Sequence, residues 1–250
     1  LRYFRHVFTH ELSPHFAMSY NGGGLSPLTE AQTNSFRWES VDGGQIMNEA
    51  IRNCRAMSNY LDVATWHVEG VRSFGGYSCL FMVASPAPLA STYSAIFTFA
   101  LGSHPYLNYG WLRPMPGAYP QFMTRYGEYC WDLALAPIAP DKAGVSVESK
   151  TPLMWEKFLR QRQTSEGLQT VVHLIAVPEW DPAKALAQAQ LPWSRNVIVR
   201  KTCRSQPTVW LLTAEPATTA TRLPVEARGN SYSVTVPSVH FWSFLVWNEK

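Results

Sequence analysis

The sequence predicts an α/β plus all-β chain. Residues 1–143 read as the C-terminal half of a (β/α)8 barrel, its last four strands and helices, and residues 144–250 as an antiparallel β-sandwich. Three observations predict this. Up to about residue 140, short apolar runs alternate with amphipathic stretches, the pattern of βα units on a parallel sheet. A Pro-punctuated segment, "APIAPDKAG" at 136–144, reads as a linker. Beyond it come eight short runs bounded by turn residues, and "VIVRKT" and "YSVTV" alternate with period two.

The elements follow in order. Leu1–Leu12 carries apolar residues at 1, 3, 4, 7, 8 and 12, a helical stripe closed by Ser13-Pro14. "HFAMSY" (15–20) is a strand ended by "NGGG", and "FRWES" (36–40) is a second. Gln45–Tyr60 places Ile46, Met47, Ala50, Ile51, Cys54 and Met57 on one helical face. "YSCLFMVA" (77–84) has the continuous apolarity of a buried parallel strand. A helix over Pro88–Leu101, a strand over His104–Tyr109 and a last helix over Tyr119–Leu135 complete the first part. In the second part the expected strands are 145–148, 153–160, 168–177, 196–203, 208–214, 222–227, 232–236 and 240–247, with an Ala-rich helical excursion at 181–190.

Composition narrows the class. With 46% hydrophobic and 16% charged residues, the chain can bury a sizeable core and is not a disordered type. A net charge of +3, with no Lys/Arg run longer than two, argues against nucleic acid as the main partner. The most apolar stretch, 84–101, is broken by two prolines and several hydroxyl residues, so it reads as a buried helix and no membrane partner is expected. The four cysteines form no CxxC and read as buried thiols. His6 and His10 have i, i+4 spacing but no third ligand, so no metal and no other cofactor is expected. The start at Leu1, inside a helical stripe, leads us to expect a fragment that lacks the N-terminal half of its own barrel.

Functional residues of βα barrels gather at the C-terminal ends of strands. Among the acids of residues 1–143, Glu39, Asp42 and Glu69 fit that rule. Glu39 ends "FRWES" beside Trp38 and Phe36, and burial against aromatics raises a carboxyl pKa toward that of a general acid. The alternative is an exposed strand-end acid paired with Arg37 or a backbone amide. Asp42 precedes Gly43-Gly44 and a helix, which suits a cap as well as a site. Glu69, in "TWHVEG", is either a mouth-lining or a surface loop acid. Trp66, His67, His104, Tyr106, Tyr109 and Trp111 fall where the last two βα loops are expected, and flat rings there would stack on sugar rings. Asn21 and Asn108 could direct hydrogen bonds to hydroxyls. Any of these rings could instead pack between barrel and sandwich.

The segments "FRWESVDGG", "ASTYSAIFTFALGSHPYLNYG" and "YSVTVPSVHFWSFLVW" resemble, respectively, the sixth-strand acidic segment, the last helix-to-strand segment and the closing sandwich strands of glycoside hydrolase family 66. That family comprises dextranases and cycloisomaltooligosaccharide glucanotransferases. The resemblance spans nearly the whole chain through loose motifs. It implies a retaining hydrolase of O-glycosidic bonds in a poly- or oligosaccharide, with Glu39 as general acid/base. It further implies a nucleophilic Asp on a fourth strand upstream of Leu1, an inactive fragment, and an extracellular or periplasmic setting. The insertion "TWHVEGVRSFGGY" departs from the family and leaves the dextran preference open. Two other readings stand beside this one: a degenerate, non-catalytic carbohydrate-binding barrel, and a chain that mainly scaffolds.

Overall fold

The computed structural model describes residues 68–69, 72, 79–82, 96–107, 118–176 and 193–250. The expected elements at 1–12, 15–20, 36–40, 45–60 and 181–190 lie outside the described residues. The chain divides into two compact units, Leu1–Arg113 and Pro114–Lys250. The second therefore begins well ahead of the expected boundary at residue 144.

In the first unit, β1 (Cys79–Met82) pairs in parallel with β2 (His104–Leu107), Cys79 opposite His104 and Met82 opposite Leu107. Parallel neighbours need a long crossover, and here it contains helical residues 96–100. Ile96, Phe97, Phe99, Ala100 and Leu101 are all buried, as in a helix covered all round. Gly102, at φ +78°, ends it: Gly102 N–H donates to Phe99 O and Ser103 N–H to Thr98 O, the paired bonds of a Schellman stop. Ser103 then leads straight into β2.

The second unit consists mostly of antiparallel strands and is built as a β-sandwich. It opens with helices α1 (Ala118–Tyr126) and α2 (Glu128–Trp131). β3 (Ala136–Pro137) and α3 (Pro140–Ala143) follow. The strands after them are β4 (Val145–Glu148), β5 (Leu153–Met154), β6 (Leu159–Thr164), β7 (Gly167–Ala176) and β8 (Ser194–Thr202). β9 (Thr208–Thr213), β10 (Thr219–Leu223), β11 (Glu226–Arg228), β12 (Ser231–Val239) and β13 (Trp242–Glu249) complete it. The larger sheet runs β10-β9-β13-β7-β6-β3, with β5 also on β7; the smaller runs β11-β12-β8-β4.

Several expectations change here: the helix expected over Tyr119–Leu135 breaks into α1 and α2, and the strand expected over 222–227 divides between β10 and β11, which lie in different sheets. The 136–144 segment is not a free linker, because β3 pairs with β6 and α3 starts on Pro140 and ends on left-handed Gly144. The strand expected over 153–160 breaks into β5 and β6 at a turn closed by Phe158 N–H to Trp155 O. β6 continues through polar "RQRQT" to Thr164, which apolar patterning does not mark. The reason is side-chain pairing. Arg162 Nε donates to Gln169 Oε1 at 2.7 Å, its Nη1 pairs with Asp132, and its Nη2 lies 3.7 Å from Glu128 Oε2, which ties β6 to α2.

The two sheets face each other across a core that includes Leu159, Val172, Leu174, Val197, Val199, Val234, Val236, Leu245 and Trp247. The opposite face of β7 and β13 is covered by α1. Phe122 meets Trp242 and Phe244 at ring distances of 5.3 and 5.2 Å, and Tyr119 stacks on Trp242 at 6.2 Å. The expected last barrel helix thus packs on the sheet of the second unit. Burial on both faces explains why β7 and β13 read as continuous apolar runs, whereas β8 and β12, with one face open, alternate. Each large side chain so buried contributes about 1.5–3 kcal/mol.

Two polar groups sit inside this packing. Lys201 occupies a core-facing position of β8, 2% exposed, and its ammonium pairs with Glu249 of β13 in the other sheet. Arg204 N–H also donates to Glu249 Oε2 at 3.4 Å. Nearby, burial pushes the Cys203 thiol up to about 12; the Lys201 ammonium opposes this and the Glu249 carboxylate adds to it. His173 of β7 is fully buried among Trp242, Phe244 and Arg160, and its Nδ1 accepts from Trp242 Nε1 at 3.2 Å. Burial first, and the Arg160 charge second, lower its pKa from 6.5 to about 3. Gly167, at φ +133°, turns the β6–β7 hairpin where a Cβ would strike the Glu249 carbonyl, so only glycine fits.

Removing one partner of a buried ion pair strands the other charge. Lys201→Met should therefore cost about 3–5 kcal/mol in urea denaturation, whereas the double variant Lys201→Met/Glu249→Leu should recover most of the loss. Equal losses in the single and double variants would refute this account of the pair.

The His173 pKa is depressed, so between pH 6.5 and about 3 the unfolded chain binds a proton that the folded chain does not. Stability should fall as pH drops through that window, by about 1.4 kcal/mol per pH unit for this group alone. Denaturation at about pH 7 and about pH 4.5 should show a smaller loss for His173→Gln than for the parent chain. Identical pH dependence would exclude His173 as the source.

Candidate functional site

Glu39, Asn21, Trp38, Asp42, Trp66, His67, Tyr109 and Trp111 lie outside the described residues. Three of the expected site residues are described. Glu69, expected in a loop, stands in a helical turn with Val68 and Arg72, and its Oε1 is 3.7 Å from the Nε of the nearly buried Arg72. An acid held this way is oriented by its i, i+3 partner. His104 opens β2 and Tyr106 is its third residue. His104 is therefore at the N-terminal end of the strand, away from the end where βα loops gather functional groups. Burial lowers its pKa.

A second set of groups meets at one end of the sandwich. Trp193 directly precedes β8 and is 44% exposed, one of two exposed large hydrophobics among the described residues. Its ring stacks on His240 at 4.4 Å between centroids and 21° between planes. His240, in the turn between β12 and β13, also meets Phe241 at 4.4 Å. Its Nδ1 lies 2.6 Å from Glu215 Oε2, a charge-assisted distance. Glu215 follows β9 and precedes Pro216 through a cis peptide bond.

These residues border a cavity of about 180 Å³, completed by side chains of β9, β10, β12 and β13 that include Thr213, Thr221, Ser238 and Ser243. Its lining combines the rings of Trp193, His240 and Trp242 with one carboxylate and several hydroxyls. Drug-sized ligands occupy roughly 300–1,000 Å³, so this space suits one small ring. Its edge is rigid: the carboxylate fixes the imidazole, and the imidazole fixes the indole.

This site lies beyond residue 144, outside the segment where βα-loop acids are expected. Trp193, Glu215 and His240 are far apart in the chain and carry no motif. The pairing of β12 with β8, which sets Val239 opposite Ser194, brings Trp193 to His240. The one available signal was a Trp held after Pro192 at the start of an alternating strand.

Among the described residues, no helix is long and apolar enough to cross a membrane, and no group of three or more His, Cys, Asp or Glu could hold a metal ion.

No protein-family model matches the chain, and no curated protein matches it. Several solved structures are similar in part, two of them as follows. One is a Paenibacillus sp. cycloisomaltooligosaccharide glucanotransferase complexed with cycloisomaltoheptaose, with 14% identity over 65% of this chain and 27% of that one and a TM-score of 0.47. The other is α-L-fucosidase isoenzyme 2 from Paenibacillus thiaminolyticus, with 15% identity over 42% of this chain and 15% of that one and a TM-score of 0.28. The chain thus spans about a quarter of the first protein's length and less of the second's, and neither likeness fixes its fold or chemistry.

Proposed function

We propose that the chain is the C-terminal part of a retaining glycoside hydrolase acting on O-glycosidic bonds of a poly- or oligosaccharide, with Glu39 as its general acid/base. The reading is supported by the sequence resemblance through "FRWESVDGG" and by the parallel pairing of β1 with β2 across a crossover containing a helix, the kind of unit a βα barrel repeats. The observation that carries it is the sequence position of Glu39, after the aromatic residues Phe36 and Trp38 and ahead of Gly43-Gly44 and the periodic apolar residues of 45–60. In a βα unit that is where a carboxyl meets substrate.

The chemistry assigned to Glu39 has two steps. The protonated carboxyl gives its proton to the leaving glycosidic oxygen while a second carboxylate bonds to the anomeric carbon. The Glu39 carboxylate then takes a proton from the incoming water or acceptor hydroxyl, which displaces the second carboxylate. Such a pair stands about 5–5.5 Å apart, and the resemblance assigns the partner to an Asp on a strand ahead of the four read here. Trp38 and Trp66, with His67, Tyr106, Tyr109 and Trp111, shape the sugar subsites. Asn21, Asp42 and Glu69 supply hydrogen bonds to hydroxyls. His104 contributes least, since it begins its strand.

In the protein that carries both carboxyls, Glu39→Gln should lower turnover of an unactivated oligosaccharide by about 10²–10⁴-fold, with unchanged thermal unfolding. An added small nucleophile such as azide should restore turnover of a substrate with a good leaving group. Near-parental turnover by the variant would refute the assignment. Sugar binding by a parent protein that itself shows no turnover would favour the non-catalytic reading.

A further inference from the structure

We infer that the cavity beside Trp193, His240 and Glu215 binds one pyranose ring, which makes the sandwich itself a carbohydrate-binding module built from residues other than those proposed for catalysis. The inference rests on this cavity's own geometry and not on the role of Glu39. Three features carry it. First, an exposed indole is fixed in orientation by a stacked imidazole 4.4 Å away, which gives a flat face for the axial C–H bonds of a sugar at little entropic cost. Second, Glu215 uses Oε2 for His240, while Oε1 has no hydrogen bond among the described residues. A carboxylate oxygen beside an aromatic face accepts from a sugar hydroxyl while the ring stacks. Third, the hydroxyls of Thr213, Thr221 and Ser238 line the same cavity, and each can donate or accept. The volume, about 180 Å³, holds one ring and not an extended chain.

A cation is the chemical rival, since rings and a carboxylate also suit a quaternary ammonium. The geometry favours the sugar. His240 already covers one indole face and its ring faces the same carboxylate, so a cage of several open rings around a cation is not formed.

The test uses the full chain. Methyl α-D-glucopyranoside, methyl α-D-mannopyranoside and methyl β-D-galactopyranoside are titrated in parallel with tetramethylammonium chloride. Binding is followed by saturation-transfer NMR and by tryptophan fluorescence. We expect saturable binding of at least one glycoside with a Kd of about 1 mM, as suits one ring. Trp193→Ala should weaken it about tenfold or more, and Glu215→Gln about three- to tenfold. Trp193→Phe, which keeps a smaller ring, should retain part of the affinity and guards against a folding defect in the alanine variant. No saturable glycoside binding would overturn the inference. So would glycoside binding undiminished in both Trp193→Ala and Glu215→Gln, which would place the sugar elsewhere on the chain. Tetramethylammonium binding tighter than every glycoside would do the same.

Discussion

β7 and β13 pair along their length, Trp242 opposite Ile175 and Glu249 opposite Leu168, and the pair is covered on both faces. One face presents Val172, Leu174, Leu245 and Trp247 to the core between the sheets. The other presents His173, Trp242 and Phe244 to the aromatic side chains of α1. A one-residue slip would exchange these two surfaces, pushing Trp242 and Phe244 into a space filled by Val197 and Val236. The register of this pair therefore sets where α1 docks, how the sheets stack, and where the turn carrying His240 emerges.

Polar interactions close what apolar packing begins. Arg162 holds α2 through Asp132 and Glu128, and Lys201 reaches from the smaller sheet to Glu249 in the larger. The Lys201–Glu249 pair is buried, whereas the partners of Arg162 reach the surface. At the other end, Trp242 joins core and surface. Its indole N–H donates to the buried His173, and the same residue borders the cavity beside His240. A fully packed interior thus supports that edge of the cavity and holds it preformed. Preformed edges reduce the ordering cost of binding a small, weakly interacting ring.

Legibility in the sequence followed the covering of each element. β8 and β12 show period two because each has one open face, and both were readable. β7, β9 and the helix ending at Gly102 were also readable, each from an apolar run and a clear stop, and β4 from its short alternation. β6 was not, because Arg160 and Arg162 interrupt its apolar pattern; Arg160 Nη1 donates to the Leu135 carbonyl, and Arg162 pairs with Asp132 and Gln169. β3 was hidden in a Pro-rich stretch, since a short edge strand tolerates proline. Glu69 looked like a loop acid because its pairing with Arg72 depends on a helical turn that no strong local periodicity announced.

The sequence by itself determined the β-rich part of the chain, and it raised the expectation of an alternating strand-and-helix part ahead of it. These depend on local patterning: the spacing of apolar residues and glycine stops. Only the tertiary structure decided that the unit beginning at Pro114 takes in the helices and the Pro-rich segment. It alone decided that Lys201 faces inward, and that Trp193, Glu215 and His240 meet around one cavity. Those outcomes depend on strand register and on partners distant in sequence, and contacts of that kind leave no periodic trace in the chain.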